Sequence, residues 1–97
     1  MVFKVEHNTD GKGFEIHVDG YTAFVDYKLF PGGIALTHTE VPKEISGQGV
    51  ASALAKHALE YAQKNDLKVK PYCSFIKAYI DEHLEYQKIS LFHNKED

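Results

Sequence analysis

The sequence predicts an α+β fold: an antiparallel β-meander, then a β-α-β crossover, then a C-terminal helix. Three observations carry this expectation. Apolar and polar residues alternate in short runs up to Val41, the signature of half-buried strands. From Val50 the apolar residues recur with the period of a helix instead. A further strand-like run and a further helical run then follow, so the fifth strand returns beside the fourth through the first helix. Such a crossover is right-handed.

Each element has its own grounds. VFKVEH (2–7) alternates loosely and reads as an edge strand. NTDGKG (8–13) is rich in turn formers, with Asp10-Gly11 a hairpin signal. FEIHVD (14–19) alternates cleanly: Phe14, Ile16 and Val18 face one way, Glu15, His17 and Asp19 the other. Gly20 turns the chain into YTAFVDYKLF (21–30), an aromatic and β-branched strand. PGG (31–33) closes it, and GIALTHTEV (33–41) is the fourth strand. In the helix that follows, Val50, Ala51, Leu54, Ala55, Ala58, Tyr61 and Ala62 share one broad face. Its alanines imply close packing onto a sheet, and Asn65-Asp66 ends it. LKVKPYC (67–73) is a short fifth strand, and SFIKAYIDEHLEY (74–86) a second helix with Ser74 as N-cap. The tail after Gln87 is expected to fray.

The bulk composition narrows the function classes. The chain has 97 residues, 43% hydrophobic and 26% charged, which fits one ordinary globular domain over residues 1–97. No apolar stretch approaches the roughly 18 residues that span a bilayer, and the first residues lack the pattern of a secretory signal. The single cysteine, Cys73, has no internal partner, which fits a reducing cytoplasm. The net charge is −3 with scattered lysines, a poor match to nucleic acid. Six histidines without ligand spacing and one cysteine give no metal signature. Oligomeric state is left open by the sequence.

The stretch with most chemical content is SGQGVASAL (46–54), where Gly47 and Gly49 precede the first helix. Free amides and the positive end of the helix dipole meet at such a point, and glycines let a phosphate approach the backbone. Neither the P-loop nor the dinucleotide fingerprint is present. On spacing alone, a phosphate site and a tight structural turn weigh equally. The longer stretch HTEVPKEISGQGVASAL, however, resembles the pyrophosphate loop of the GNAT superfamily of N-acetyltransferases. That superfamily's motif falls here on Ser46, Gly49 and Ala51, with Gly47, Gln48 and Val50 between. HTEVP, PYCSF and AYIDEH together resemble a small single-domain branch of it, and the likeness runs from about Tyr27 to Tyr86. The resemblance implies the compact GNAT fold, acetyl-CoA as co-substrate and acetyl transfer to an amine. It places the pyrophosphate on the 46–51 loop, with the rest of the ligand along the fourth strand as far as Val41. Ser46 departs from the usual glutamine or arginine, and the absence of early helices implies a shallow, open acceptor site.

Candidates for the chemistry follow. Regular alternation places Ile34, Leu36, His38 and Glu40 on one face of the fourth strand and Ala35, Thr37, Thr39 and Val41 on the other. His38 and Glu40 would stand about 7 Å apart along it. Either could accept a proton, and each is also readable as an ordinary structural residue. Cys73, at a strand end ahead of a helix N-terminus where thiolate character is favoured, is the first catalytic candidate. It matches the cysteine of the small branch; its role as nucleophile, acid, base or pocket lining is open. The resemblance also points to Tyr79, since many GNAT proteins use a tyrosine on this helix to protonate the leaving thiolate. The expected acceptor is a small-molecule or lysine-type amine. Two other functions fit the same residues: a non-catalytic acyl-CoA-binding module and a small scaffold or interaction protein.

Overall fold

A computed structural model of the protein describes residues 3–93. It contains the strands β1 (Glu6–Asn8), β2 (Gly13–Val18), β3 (Tyr21–Phe30), β4 (Gly33–Glu40) and β5 (Lys68–Pro71). Two helices, α1 (Val50–Lys64) and α2 (Ser74–Asp81), and two short 3₁₀ turns complete it. One sheet has the order β1-β2-β3-β4-β5. The first four strands pair antiparallel, and β5 lies parallel to β4, reached through α1.

Local chemistry sets the two tight hairpins. Asp19 and Gly20 between β2 and β3 both have positive φ, 51° and 82°, the two-residue turn whose twist matches that of the strands. Between β3 and β4, Pro31 precedes Gly32 at φ 81°, the order a type II turn requires.

The strands and helices enclose one core. Phe14, Ile16, Val25, Ile34, Leu36 and Val69 come from one face of the sheet, and all are essentially buried. Against them lie Leu54, Ala55, Ala58, Leu59 and Ala62 of α1 and Ile76 and Ile80 of α2. The small alanines let the α1 backbone approach the sheet closely. Among the described residues no helix covers the opposite face, where Glu15, Phe24, Asp26, Lys28, His38, Glu40 and Lys70 stand exposed or half-buried.

Four departures from the sequence reading have physical causes. Strand β1 begins only at Glu6; Phe3 and Val5 pack on the core without strand pairing, and Val2 lies outside the described residues. Cys73, not Ser74, is the N-cap of α2, and β5 stops at Pro71. Helix α2 ends at Asp81 rather than at Tyr86, where the Gln87 side chain donates from Nε2 to the carbonyls of Ile80 and Asp81 and closes it. A separate 3₁₀ turn, Leu84–Tyr86, then buries Tyr86. The segment after Gln87 is pinned as far as His93. The Val69 amide donates to Ile89 and the Leu91 amide to Val69, at 2.7 and 2.8 Å, and Ser90 is fully buried. His93 bonds both the Ser90 hydroxyl and the Asp81 carboxylate.

Candidate active site

The site is built on an irregularity in β4. Val25 pairs with Thr39 and Asp26 with His38, but Tyr27 pairs with Leu36, so Thr37 is an extra residue. Its hydroxyl donates to the Asp26 carbonyl at 3.3 Å. A bulge of this kind shifts the side-chain phase. Leu36 and Thr39 therefore share the core face, opposite the buried Tyr27 and Val25. His38 and Glu40 point to the open face, and this corrects the expected grouping of Ile34, Leu36, His38 and Glu40. The pair is joined there, His38 Nε2 to Glu40 Oε1 at 3.2 Å, with both side chains more than half exposed. The Phe24 ring lies 6.0 Å from the imidazole.

At the same point β4 loses a neighbour. Its pairing with β5 runs from Gly33↔Lys68 to Leu36↔Pro71 and stops. The Cys73 amide still reaches the Leu36 carbonyl at 3.1 Å. Beyond it, residues 37–40 have no strand on the β5 side. Two parallel strands thus part at Leu36, and one edge of β4 is left open as far as the glycine loop.

That loop begins with the 3₁₀ turn Lys43–Ile45, anchored by buried Ile45. The Ser46 hydroxyl donates to the Lys43 carbonyl at 2.9 Å and closes the turn. Gly47 and Gly49 have φ of 79° and 86°, a conformation that side chains resist. A Cβ built on either would meet no atom within 4 Å. Crowding within the protein therefore does not require these glycines; the space above the loop is free. Gly49 is the N-cap of α1 and no side chain caps the helix. The first intrahelical bond is from Ala53 to Gly49 at 3.0 Å, so the preceding amides have no helical acceptor. The loop carries what a phosphate needs: room, free donors and the positive dipole end.

Cys73 closes the parting between β4 and β5 on the core side. Its half-buried thiol donates to the Thr39 hydroxyl at 3.1 Å. The structure brings Cys73 together with Thr39 and with the β4 edge that leads to Val41 and the loop. It keeps His38 and Glu40 on the other face of the same strand.

Comparison with known proteins decides the family. The family model described as GCN5-related N-acetyl-transferase matches residues 13–89. The chain belongs to that family. It is similar to Protein NATD1 of mouse, 35% identical over 82 residues, covering 81% of this chain and 74% of that one. The human Protein NATD1 is likewise 35% identical over 82 residues, covering 81% and 73%. A solution structure of a GCN5-like protein from Staphylococcus aureus superposes with a TM-score of 0.73 at 30% identity, covering 92% of this chain and 88% of that chain. The compact α+β architecture is thus the fold of GCN5-related N-acetyltransferases, and the residues of the 46–51 loop sit where that fold turns from β4 into α1.

Tyr79 lies on α2, six residues after Cys73. Its ring lies flat on His83, with centroids 3.9 Å apart and planes at 12°, on a groove between α1 and α2. Burial, then the charges of Glu85 and Glu60, push the phenol above its usual range, so it stays protonated at neutral pH. Thr39 is the site residue that sequence reading missed. No glycine or proline marks the Thr37 bulge, and only the register of β3 against β4 reveals which threonine meets the thiol. Among the described residues no group of three His, Cys, Asp or Glu is placed to hold a metal ion. No helix of the described residues is long and apolar enough to cross a membrane.

Proposed function

We propose that the protein is an acetyl-CoA-dependent N-acetyltransferase working across the two sides of β4. One observation carries the reading: the open, phase-shifted second half of β4 runs from the Cys73–Thr39 pair to an uncapped helix start whose glycines leave free space. In this reading the amides of Gly47 to Ala51 take the pyrophosphate, as in the phosphate sites of other helix starts. The acyl arm follows the β4 edge past Val41, and the thioester lies at the parting beside Thr39 and Cys73. Ser46, already bonded to Lys43, leaves the phosphates to the backbone.

The acceptor amine approaches from the uncovered face. A hollow of about 640 Å³ opens there beside the bulge, with Asp26 and Thr37 in its wall. His38, bonded to Glu40, is an imidazole base on that face of β4, opposite Asp26 in the β3–β4 register. The nitrogen attacks the thioester carbonyl carbon, a C–N bond forms and the C–S bond breaks. The nitrogen gives its proton to the His38–Glu40 pair, and the thiolate takes one from the Cys73–Thr39 pair, which solvent restores. Net, one proton moves from nitrogen to sulfur. A covalent relay would need a base beside the thiol, whereas the thiol's partner is a hydroxyl. Direct attack is therefore the proposed route.

The test combines turnover with mass. With acetyl-CoA and a panel of primary amines, free thiol should appear only when an amine is present. Cys73→Ala and His38→Gln should each lower kcat by about a hundredfold with acetyl-CoA affinity unchanged. An acetylated wild-type chain formed without amine would replace direct attack by a Cys73 relay. Tight acetyl-CoA binding with no amine acetylated would make the protein a non-catalytic acyl-CoA-binding module.

A further inference from the structure

The uncovered face of the sheet carries its charges in two separate bands. Cross-strand pairing aligns Phe24 with Glu40 and Asp26 with His38. Past the Thr37 bulge it aligns Lys28 with Ala35, and Ala35 with Lys70. The rows nearer the glycine loop thus hold the carboxylates and the imidazole, and the next row holds lysines. Asp26 is half-buried. Among the described residues it forms no ion pair, and neither do Lys12, Lys28 and Lys70. Opposite charges therefore stand side by side on this face without neutralising each other.

The hollow beside the bulge spans both bands. Besides Asp26 and Thr37, its wall contains Lys12 and Lys28. The Tyr27 amide donates to the Lys12 carbonyl at 2.9 Å, which ties the β1–β2 turn against β3 just where Lys28 follows. Lys70 is engaged elsewhere, its Nζ 4.5 Å from the centroid of the Phe30 ring. Leu29, 56% exposed, adds apolar surface to the wall of the hollow. Along the strand, Asp26 and Lys28 stand about 7 Å apart at two residues of extended rise.

We propose that the acceptor is a zwitterion: a primary amine joined by a short aliphatic spacer to a carboxylate or a phosphate. This deepens the proposed function and rests on its acceptor side. The ammonium is drawn to Asp26, next to the His38–Glu40 pair that takes its proton. The anion lies between Lys12 and Lys28, and Leu29 covers the spacer. Charge-assisted hydrogen bonds at both ends fix which nitrogen meets the thioester. A diamine offers the same reacting nitrogen, but its second ammonium would face the two lysines, so polyamines are disfavoured. After transfer the nitrogen is a neutral amide. Asp26 has then lost its partner, and the product is held by its anion alone.

The experiment measures steady-state thiol release at saturating acetyl-CoA with a set of matched amines. They are 5-aminopentanoate, 3-aminopropyl phosphate, neutral pentylamine and 1,5-diaminopentane. In wild type, at least one anionic amine should exceed pentylamine about tenfold in kcat/KM, the scale of one hydrogen bond to a charged group. The diamine should fall below pentylamine. The faster of the two anionic amines tells carboxylate from phosphate. Lys28→Glu, at an exposed position, should reverse the order and put the diamine first. Lys64→Glu makes the same change of charge at the far end of α1 and should keep the wild-type order. Pentylamine turned over by wild type as fast as both anionic amines would overturn the zwitterion and leave the acetyltransferase reading standing. An unchanged order in Lys28→Glu would do the same. Thiol release with none of the amines would overturn the zwitterion together with the proposed function.

Discussion

The two halves of β4 differ in nearly every physical respect. Gly33–Leu36 is buried, paired on both edges and regular in its alternation. Residues 37–40 are paired on one edge only, shifted in phase by Thr37 and partly exposed. The first half owes its residues to packing. The second half keeps polar side chains and free backbone edge that the fold does not need, and it leads straight to the uncapped start of α1. Stability and proposed chemistry thus occupy adjacent segments of a single strand, with a one-residue insertion as the border.

Substitution on either side of the border should separate the two. Leu36→Ala should cost about 3 kcal/mol, the usual loss for a fully buried leucine, and lower the Tm by more than about 10 °C in a domain of this size. Thr39→Val, three residues on, should cost only about 1 kcal/mol for one lost hydrogen bond, yet reduce turnover by about tenfold. Thermal unfolding and amine-dependent thiol release measure both. Comparable losses of stability in the two variants would erase the border.

A smaller effect lies at the far edge of the sheet. His7 of β1 bonds the Tyr27 hydroxyl at 2.7 Å and stacks on Phe14 at 4.4 Å. Burial, and then the nearby charge of His57, lower its pKa below 6.5. The folded state therefore resists protonation that the unfolded chain accepts. This contribution is present above about pH 6.5 and lost as the pH falls toward the folded value. The melting temperature of wild type should drop over that interval, and His7→Phe should flatten the slope. An unchanged slope in the variant would assign the acid sensitivity to other groups.

The sequence disclosed the strands, the crossover and the glycine loop because each has a local signal. Alternation marks β2, a run of alanines marks the buried stripe of α1, and Gly47 and Gly49 mark a backbone that other residues resist. It did not disclose the phase shift in β4, since the register there depends on β3, which is distant along the chain. Regular alternation was the natural reading of GIALTHTEV, and it put His38 on the wrong face for the same reason. The pinned segment after Gln87 was equally hidden. LFH beyond it carries no periodicity, and its order comes from hydrogen bonds to Val69 and a link from His93 to Asp81. Cys73 stood out by its uniqueness, but its partner Thr39 became visible only in three dimensions.

The measurement closest to the central claim is thermal unfolding with and without excess acetyl-CoA for wild type, Gly49→Asp and Gly20→Asp. Gly49 and Gly20 share a positive φ, 86° and 82°, and open space at the missing Cβ, so the two substitutions carry similar backbone strain. Only Gly49 adjoins the start of α1. Ligand at about 100 times its Kd adds about 2.7 kcal/mol to the folded state, a rise of several degrees here. The account predicts that rise for wild type and Gly20→Asp and none for Gly49→Asp. A rise in Gly49→Asp equal to that of wild type, or no rise in wild type, would contradict it.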